Sequence, residues 1–171
     1  DAAALLRDDD NIRFLVAGAG AARDGLIRKA DEENLTNTVF LPMQPKERVP
    51  DVWSLCDVAL VHLKNDPAFS EVIPSKIFEA MAMGLPILIA APDGEATEIV
   101  ETERAGIVTR SEDAQDLAQA VRNLHQDAAT RHALGNVSLA AASGYSRENQ
   151  AREMMEVFND AVAGRPAADT A

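Results

Sequence analysis

The stretch Glu71-Val-Ile-Pro-Ser-Lys-Ile-Phe-Glu79-Ala-Met-Ala-Met-Gly84-Leu-Pro86-Ile-Leu-Ile-Ala-Ala91 reads as a helix, its stop and a buried strand. Ser75 stands where a helix is capped, and the helix runs to about Met83. Gly84 supplies the left-handed C′ position and Pro86 prevents continuation. Ile87 to Ala91 is then a short apolar strand. Upstream, Val58 to Leu63 is apolar without strict alternation, as a strand covered on both faces should be. A polar loop from Lys64 to Pro74 joins the two.

The same rhythm extends outward. Ile12 to Ala17 is a strand closed by Gly18-Ala19-Gly20, and Leu26, Ile27 and Ala30 follow at helical spacing. Thr38 to Leu41 is a strand ended by Pro42, and Val49, Val52, Trp53 and Cys56 mark another helix. Downstream come a Pro92-Asp93-Gly94 turn, a helix through Ile99 and Val100, and a strand over Gly106 to Thr109. Alternating strands and helices predict an α/β fold, a Rossmann-like parallel sheet flanked by helices. Beyond Arg110 the pattern is helical only. Ser111 caps a helix with an inward stripe of Leu117, Val121 and Leu124. A second helix covers about Ala128 to Ala142, and Ser146 caps an amphipathic helix carrying Ala151, Met155, Phe158 and Val162. Residues 1–163 form one domain in this reading, and 164–171 a disordered tail.

Of the 171 residues 47% are apolar, enough for a packed core, and the formal charge is −12. Such acidity excludes a phosphate-backbone binder, so nucleic acid is not a partner. The single Cys56 forms no internal disulfide, and no secretion signal is visible, which points to the cytoplasm. The longest uncharged apolar run, Ala80 to Pro92, is too short to span a bilayer.

Chemistry concentrates at the start of the helix in the opening stretch. Ser75 and Lys76 lie where unpaired amides and the positive dipole end favour an anion. A lysine there is misplaced against the dipole unless a second, negative species such as a diphosphate is present. Glu79 follows Ser75 by four residues, so the two share a helix face. A carboxylate one turn deeper than the amides can accept from two vicinal hydroxyls, and the spacing suits a ribose diphosphate. The plainer reading makes Ser75 a cap, Glu79 a surface residue and Lys76 the partner of any nearby acid.

Glu71-x7-Glu79, with Pro74-Ser75-Lys76 leading into Ile-Phe-Glu-Ala-Met-Ala-Met-Gly-Leu-Pro, resembles the signature of the retaining, family 4 (group 1) type glycosyltransferases of GT-B fold. Phe14 to Gly20, Val39 to Pro42, Asp57 to Leu60 and Gly94 to Val100 resemble the family's neighbouring segments, so the likeness covers about residues 12 to 162. It implies the C-terminal, donor-binding half of a hexosyltransferase acting on a UDP- or GDP-linked sugar, with a glycan or lipid-linked acceptor. Glu79 would hold the ribose and the amides at Ser75 and Lys76 the diphosphate, with the adjoining Pro74 also among the substrate-binding residues. Glu71 would be the catalytic residue facing the hexose, Met43 would meet the base, and Gly18 and Gly20 would admit the donor. The family's chemistry implies no cofactor and no metal. Members usually carry an Arg and a Lys on the domain's first strand and helix, and nothing before Ile12 matches them. The chain is therefore expected to begin after that strand and to lack the acceptor-binding N-terminal domain, so the fragment alone should be inactive. Polysaccharide or glycolipid synthesis, with peripheral membrane contact of the longer enzyme, is the implied setting.

Two other classes stay open on the sequence: a non-catalytic nucleotide-binding regulatory module, and a nucleotide-sugar epimerase of related fold. Gly18-Ala19-Gly20-Ala21-Ala22-Arg23 is a poor dinucleotide fingerprint, because Arg23 replaces the third glycine and the strand over Thr38 to Leu41 ends in Leu-Pro rather than an acid. His62, His125 and His132 are scattered, and His62 stands at a strand end near the expected sugar pocket.

Overall fold

The computed structural model describes residues 1–163. In order come α1 (Ala2–Leu5), β1 (Phe14–Ala17), α2 (Arg23–Glu32), β2 (Thr38–Leu41), α3 (Val49–Trp53), β3 (Ala59–His62), α4 (Lys76–Ala82), β4 (Ile87–Ala91), α5 (Glu95–Thr102) and β5 (Gly106–Arg110). Then α6 (Ala114–Gln126), α7 (Ala128–Ala141) and α8 (Arg147–Val162) follow. Every strand pairing is parallel. The strands form two sheets, β1-β2 and β3-β4-β5, where one continuous sheet was expected.

β4 is the centre of the larger sheet, and all five of its side chains are buried. Ile87, Ile89 and Ala91 join Ala59 and Val61 of β3 against Ile77 and Met81 of α4 and Ala96 and Val100 of α5. Leu88, pointing the other way, joins Leu60 and Ile107 against Ala120 and Leu124 of α6. Covering both faces explains the unbroken apolar runs, and each buried Ile or Leu contributes about 1.5–3 kcal/mol over an exposed one. Helix α6 also reaches the smaller sheet: Leu117 and Val121 touch Leu88's cluster and a second one built on Leu6, Ile12 and Ala118, against which Phe14 packs.

Several expectations need correction. β1 starts at Phe14, and Ile12 is instead buried beside α1. The cap of α6 is Asp113, whose carboxylate accepts from the amides of Gln115 and Asp116, while the Ser111 hydroxyl donates to the Leu63 carbonyl at 2.9 Å. An ionised cap two residues nearer the helix outcompetes a hydroxyl. Ser146 does cap α8, but Met155, Phe158 and Val162 on that helix are 57%, 58% and 90% exposed. Periodicity reports an apolar face and not what covers it. Gly84 holds φ +66°, the left-handed value a C′ residue needs. Tyr145 stacks on Phe78 of α4 at 5.0 Å and donates to Glu103 at 2.8 Å; burial and that carboxylate push its pKa up to about 12. Among the described residues no helix is long and apolar enough to cross a membrane. The expected tail, 164–171, lies outside them.

Candidate functional site

The site begins where β3 ends. The chain leaves His62 and crosses to α4 through a loop held at three points. At the near end, Leu63's carbonyl accepts from Ser111. A 3₁₀ turn over Pro67–Phe69 is capped by Asp66, which accepts from the Ala68 amide at 2.9 Å. Beyond it, the Ser70 carbonyl accepts from the Glu95 amide at 3.2 Å. Gly94 permits that last contact, because a Cβ there would run into the Ser70 carbonyl. Glu71 is the next residue, so its backbone is fixed by the entry to α5. Its side chain is exposed, with no hydrogen bond or ion pair among the described residues.

Helix α4 brings the other candidates together. Glu79, one turn in, is exposed, yet both carboxylate oxygens are engaged: Oε1 accepts from Ser75 Oγ at 3.1 Å and Oε2 from Trp53 Nε1 at 3.4 Å. Ser75 thus does not cap α4 with its side chain. Its backbone is already helical (φ −55°, ψ −24°), which denies the hydroxyl the extended geometry that aims a cap at the next amides. The Pro74 carbonyl accepts from the Ile77 amide at 3.1 Å, closing the first turn. Lys76 is exposed. Partial desolvation, and then the Lys76 ammonium, hold His62 below the ordinary imidazole range, so the end of β3 feels the charge on α4.

Gly18, Gly20 and Met43 stand at the carboxyl ends of the other sheet. Gly18 adopts φ +140°, open to glycine only, and its amide donates to the Leu41 carbonyl at 3.3 Å. Nothing lies within 4 Å of a Cβ built at Gly18 or Gly20. Met43 is 72% exposed just past β2. Among the described residues no hydrogen bond or ion pair ties these three to Glu71, Ser75, Lys76 or Glu79. A groove of about 1070 Å³ opens beside the carboxyl ends of β4 and β5, lined by Asn65, Pro92, Asp93, Thr109 and Arg110 among others, and touches none of those four. Sequence reading missed Trp53, Gly94 and Ser111 as parts of this region. Their partners lie 24 to 48 residues away, beyond any local pattern.

Residues 1–138 match the family model described as glycosyl transferases group 1. The chain is 32% identical over 169 residues to the D-inositol 3-phosphate glycosyltransferase of Nocardia farcinica, covering 94% of this chain and 36% of that protein. It is 27% identical over 165 residues to the same-named protein of Corynebacterium kroppenstedtii, covering 92% and 35%. It thus spans about a third of the length of these curated relatives. The fold is similar to that of Anabaena HepE in complex with UDP (TM-score 0.78, 22% identity, 93% of this chain and 44% of that one). Sucrose-phosphate synthase from Thermosynechococcus elongatus is similar too (TM-score 0.75, 22% identity, 95% and 41%).

Proposed function

Because this chain belongs to the group 1 glycosyl transferases, we propose that it is the donor-binding part of a longer enzyme that moves a hexose from a nucleoside-diphosphate sugar to a glycan or lipid-linked acceptor, with retention. The observation that carries the reading is the Glu79 carboxylate, held on both oxygens in the first turn of α4, the helix that Lys76 opens. A fixed carboxylate on a helix that starts with a lysine fits a ligand with vicinal hydroxyls joined to a diphosphate. In this reading Glu79 accepts from the ribose, Ser75 and Lys76 meet the diphosphate, and Pro74 belongs to the same substrate-binding turn. Met43 borders the base, while Gly18 and Gly20 leave room for the donor. Placement at the carboxyl ends of parallel strands supports it, since open α/β sheets bind ligands there. The HepE complex with UDP lends a UDP donor further support.

Catalysis is electrostatic in this proposal. Lys76, with cations from the remainder of the enzyme, offsets charge on the departing diphosphate, and no metal or cofactor is required. Glu71, on its pinned loop, faces the hexose as positive charge develops at the anomeric carbon. We place the enzyme in the cytoplasm with peripheral membrane contact, in polysaccharide or glycolipid synthesis. The residues the chain holds make one domain, 1–163, completed by a further strand and an acceptor domain, and the chain alone does not turn over.

The test is titration calorimetry with UDP and GDP. Glu79→Ala removes two charge-assisted hydrogen bonds and should weaken nucleotide binding at least about tenfold. Equal affinity for both proteins sinks the ribose assignment.

A further inference from the structure

Exposed glutamates on helices normally sample several rotamers, because nothing outweighs the entropy of fixing a long side chain. Glu79 is exposed and nevertheless held on both oxygens. One donor, Ser75 Oγ, sits on the same helix. The other comes from outside: Trp53 ends α3, and its half-buried ring packs against the core formed by β3, β4, α4 and α5. Its N–H is therefore delivered by the core itself, 26 residues from the carboxylate in sequence.

We infer that Trp53 is a positioning residue that sets the Glu79 carboxylate for a vicinal diol; this rests on the reading of Glu79 as the ribose acceptor. An indole N–H only donates, and a carboxylate has about four acceptor sites. Ser75 occupies one site on Oε1 and Trp53 one on Oε2. One site remains on each oxygen, the number that two adjacent ribose hydroxyls require. Without the indole, Oε2 is free to rotate away and only one hydroxyl is met in register. Trp53 thus contributes to the choice of ribose over deoxyribose without touching the nucleotide.

Trp53 is the only tryptophan in the chain, so its indole N–H gives a single proton resonance. In the nucleotide-free 171-residue chain, Glu79→Gln should move that resonance upfield by weakening its acceptor. An unmoved resonance overturns the inference, and this arm needs neither nucleotide binding nor a Trp53 variant. In the second arm, UDP and 2′-deoxy-UDP are compared by calorimetry in wild type, Trp53→Phe and Glu79→Gln. Phe keeps most of the ring and loses the donor. Trp53→Phe should lower the UDP to 2′-deoxy-UDP affinity ratio about fivefold, which a general loss of packing would not do. A ratio unchanged in Trp53→Phe but reduced in Glu79→Gln overturns the positioning role alone. A wild type that does not discriminate overturns the ribose reading, and the role for Trp53 with it.

Discussion

His62 and Lys76 show how far single residues report on the site. The imidazole stands at the exposed end of β3, desolvated in part and within the field of the Lys76 charge, and both effects disfavour its charged form. Its pKa is lowered in the folded chain, so neutral His62 contributes stability that is complete above the ordinary value of about 6.5 and is lost as pH falls through the depressed one. A diphosphate bound at Lys76 supplies negative charge that offsets the ammonium, so nucleotide should raise the His62 pKa. Lys76→Ala should raise it as well, and then nucleotide should move it little further. Proton NMR titration reads all three states, with His62→Gln assigning the signal among three histidines. A His62 pKa that ignores UDP in the wild type places the diphosphate elsewhere. The sequence made Ser75, Lys76 and Glu79 legible because they cluster at one helix start, and Glu71 through its spacing to Glu79 in the family resemblance. It did not show that Ser75 serves Glu79 rather than the helix, because that depends on backbone angles at Ser75.

At the scale of elements, β3, β4 and β5 and the helices between them were readable as short apolar runs set between turns and helical spacing, most plainly β4, which is buried at all five positions. The start of β1 and the cap of α6 were not. Ile12 is as apolar as a strand residue, but its burial comes from α1 and α6, elements far apart in sequence. Ser111 has the composition of a cap and is used as a strut to Leu63. The contact between Gly94 and Ser70 was equally invisible, since a glycine ahead of a helix has many local explanations. It joins the loop carrying Glu71 to the entry of α5. Gly94→Ala should therefore cost about 1–3 kcal/mol through overpacking against backbone, measured by thermal or urea unfolding. The displaced loop should also take Glu71 out of register, lowering transfer in the longer enzyme more than nucleotide affinity. Unchanged stability shows that the loop yields freely and does not fix Glu71.

Across the whole molecule, the charge of −12 excludes a broad anionic surface as ligand but says little about one diphosphate, which needs only a local cation such as Lys76. The division into two sheets matters more. β4 has no exposed side chain, whereas Val16 of β1 and Val39 of β2 are 40% and 45% exposed. The amides of β4 should exchange only on global unfolding, at about 5–15 kcal/mol, and those of β1 and β2 by cheaper partial opening. Helix α6 is the apolar tie, since Leu117 and Val121 contact the clusters under both sheets. Leu117→Ala removes contacts on the two sides at once, at about 2 kcal/mol or somewhat more. If α6 couples the sheets, hydrogen exchange will show protection falling in both, by a similar free energy. A loss confined to β1 and β2 would mean that the β3-β4-β5 layer, with α4 and Glu79, is stable without the smaller sheet. The donor residues assigned to Gly18, Gly20 and Met43 would then sit on a separately opening unit, and nucleotide should slow exchange in β1 and β2 more than in β4.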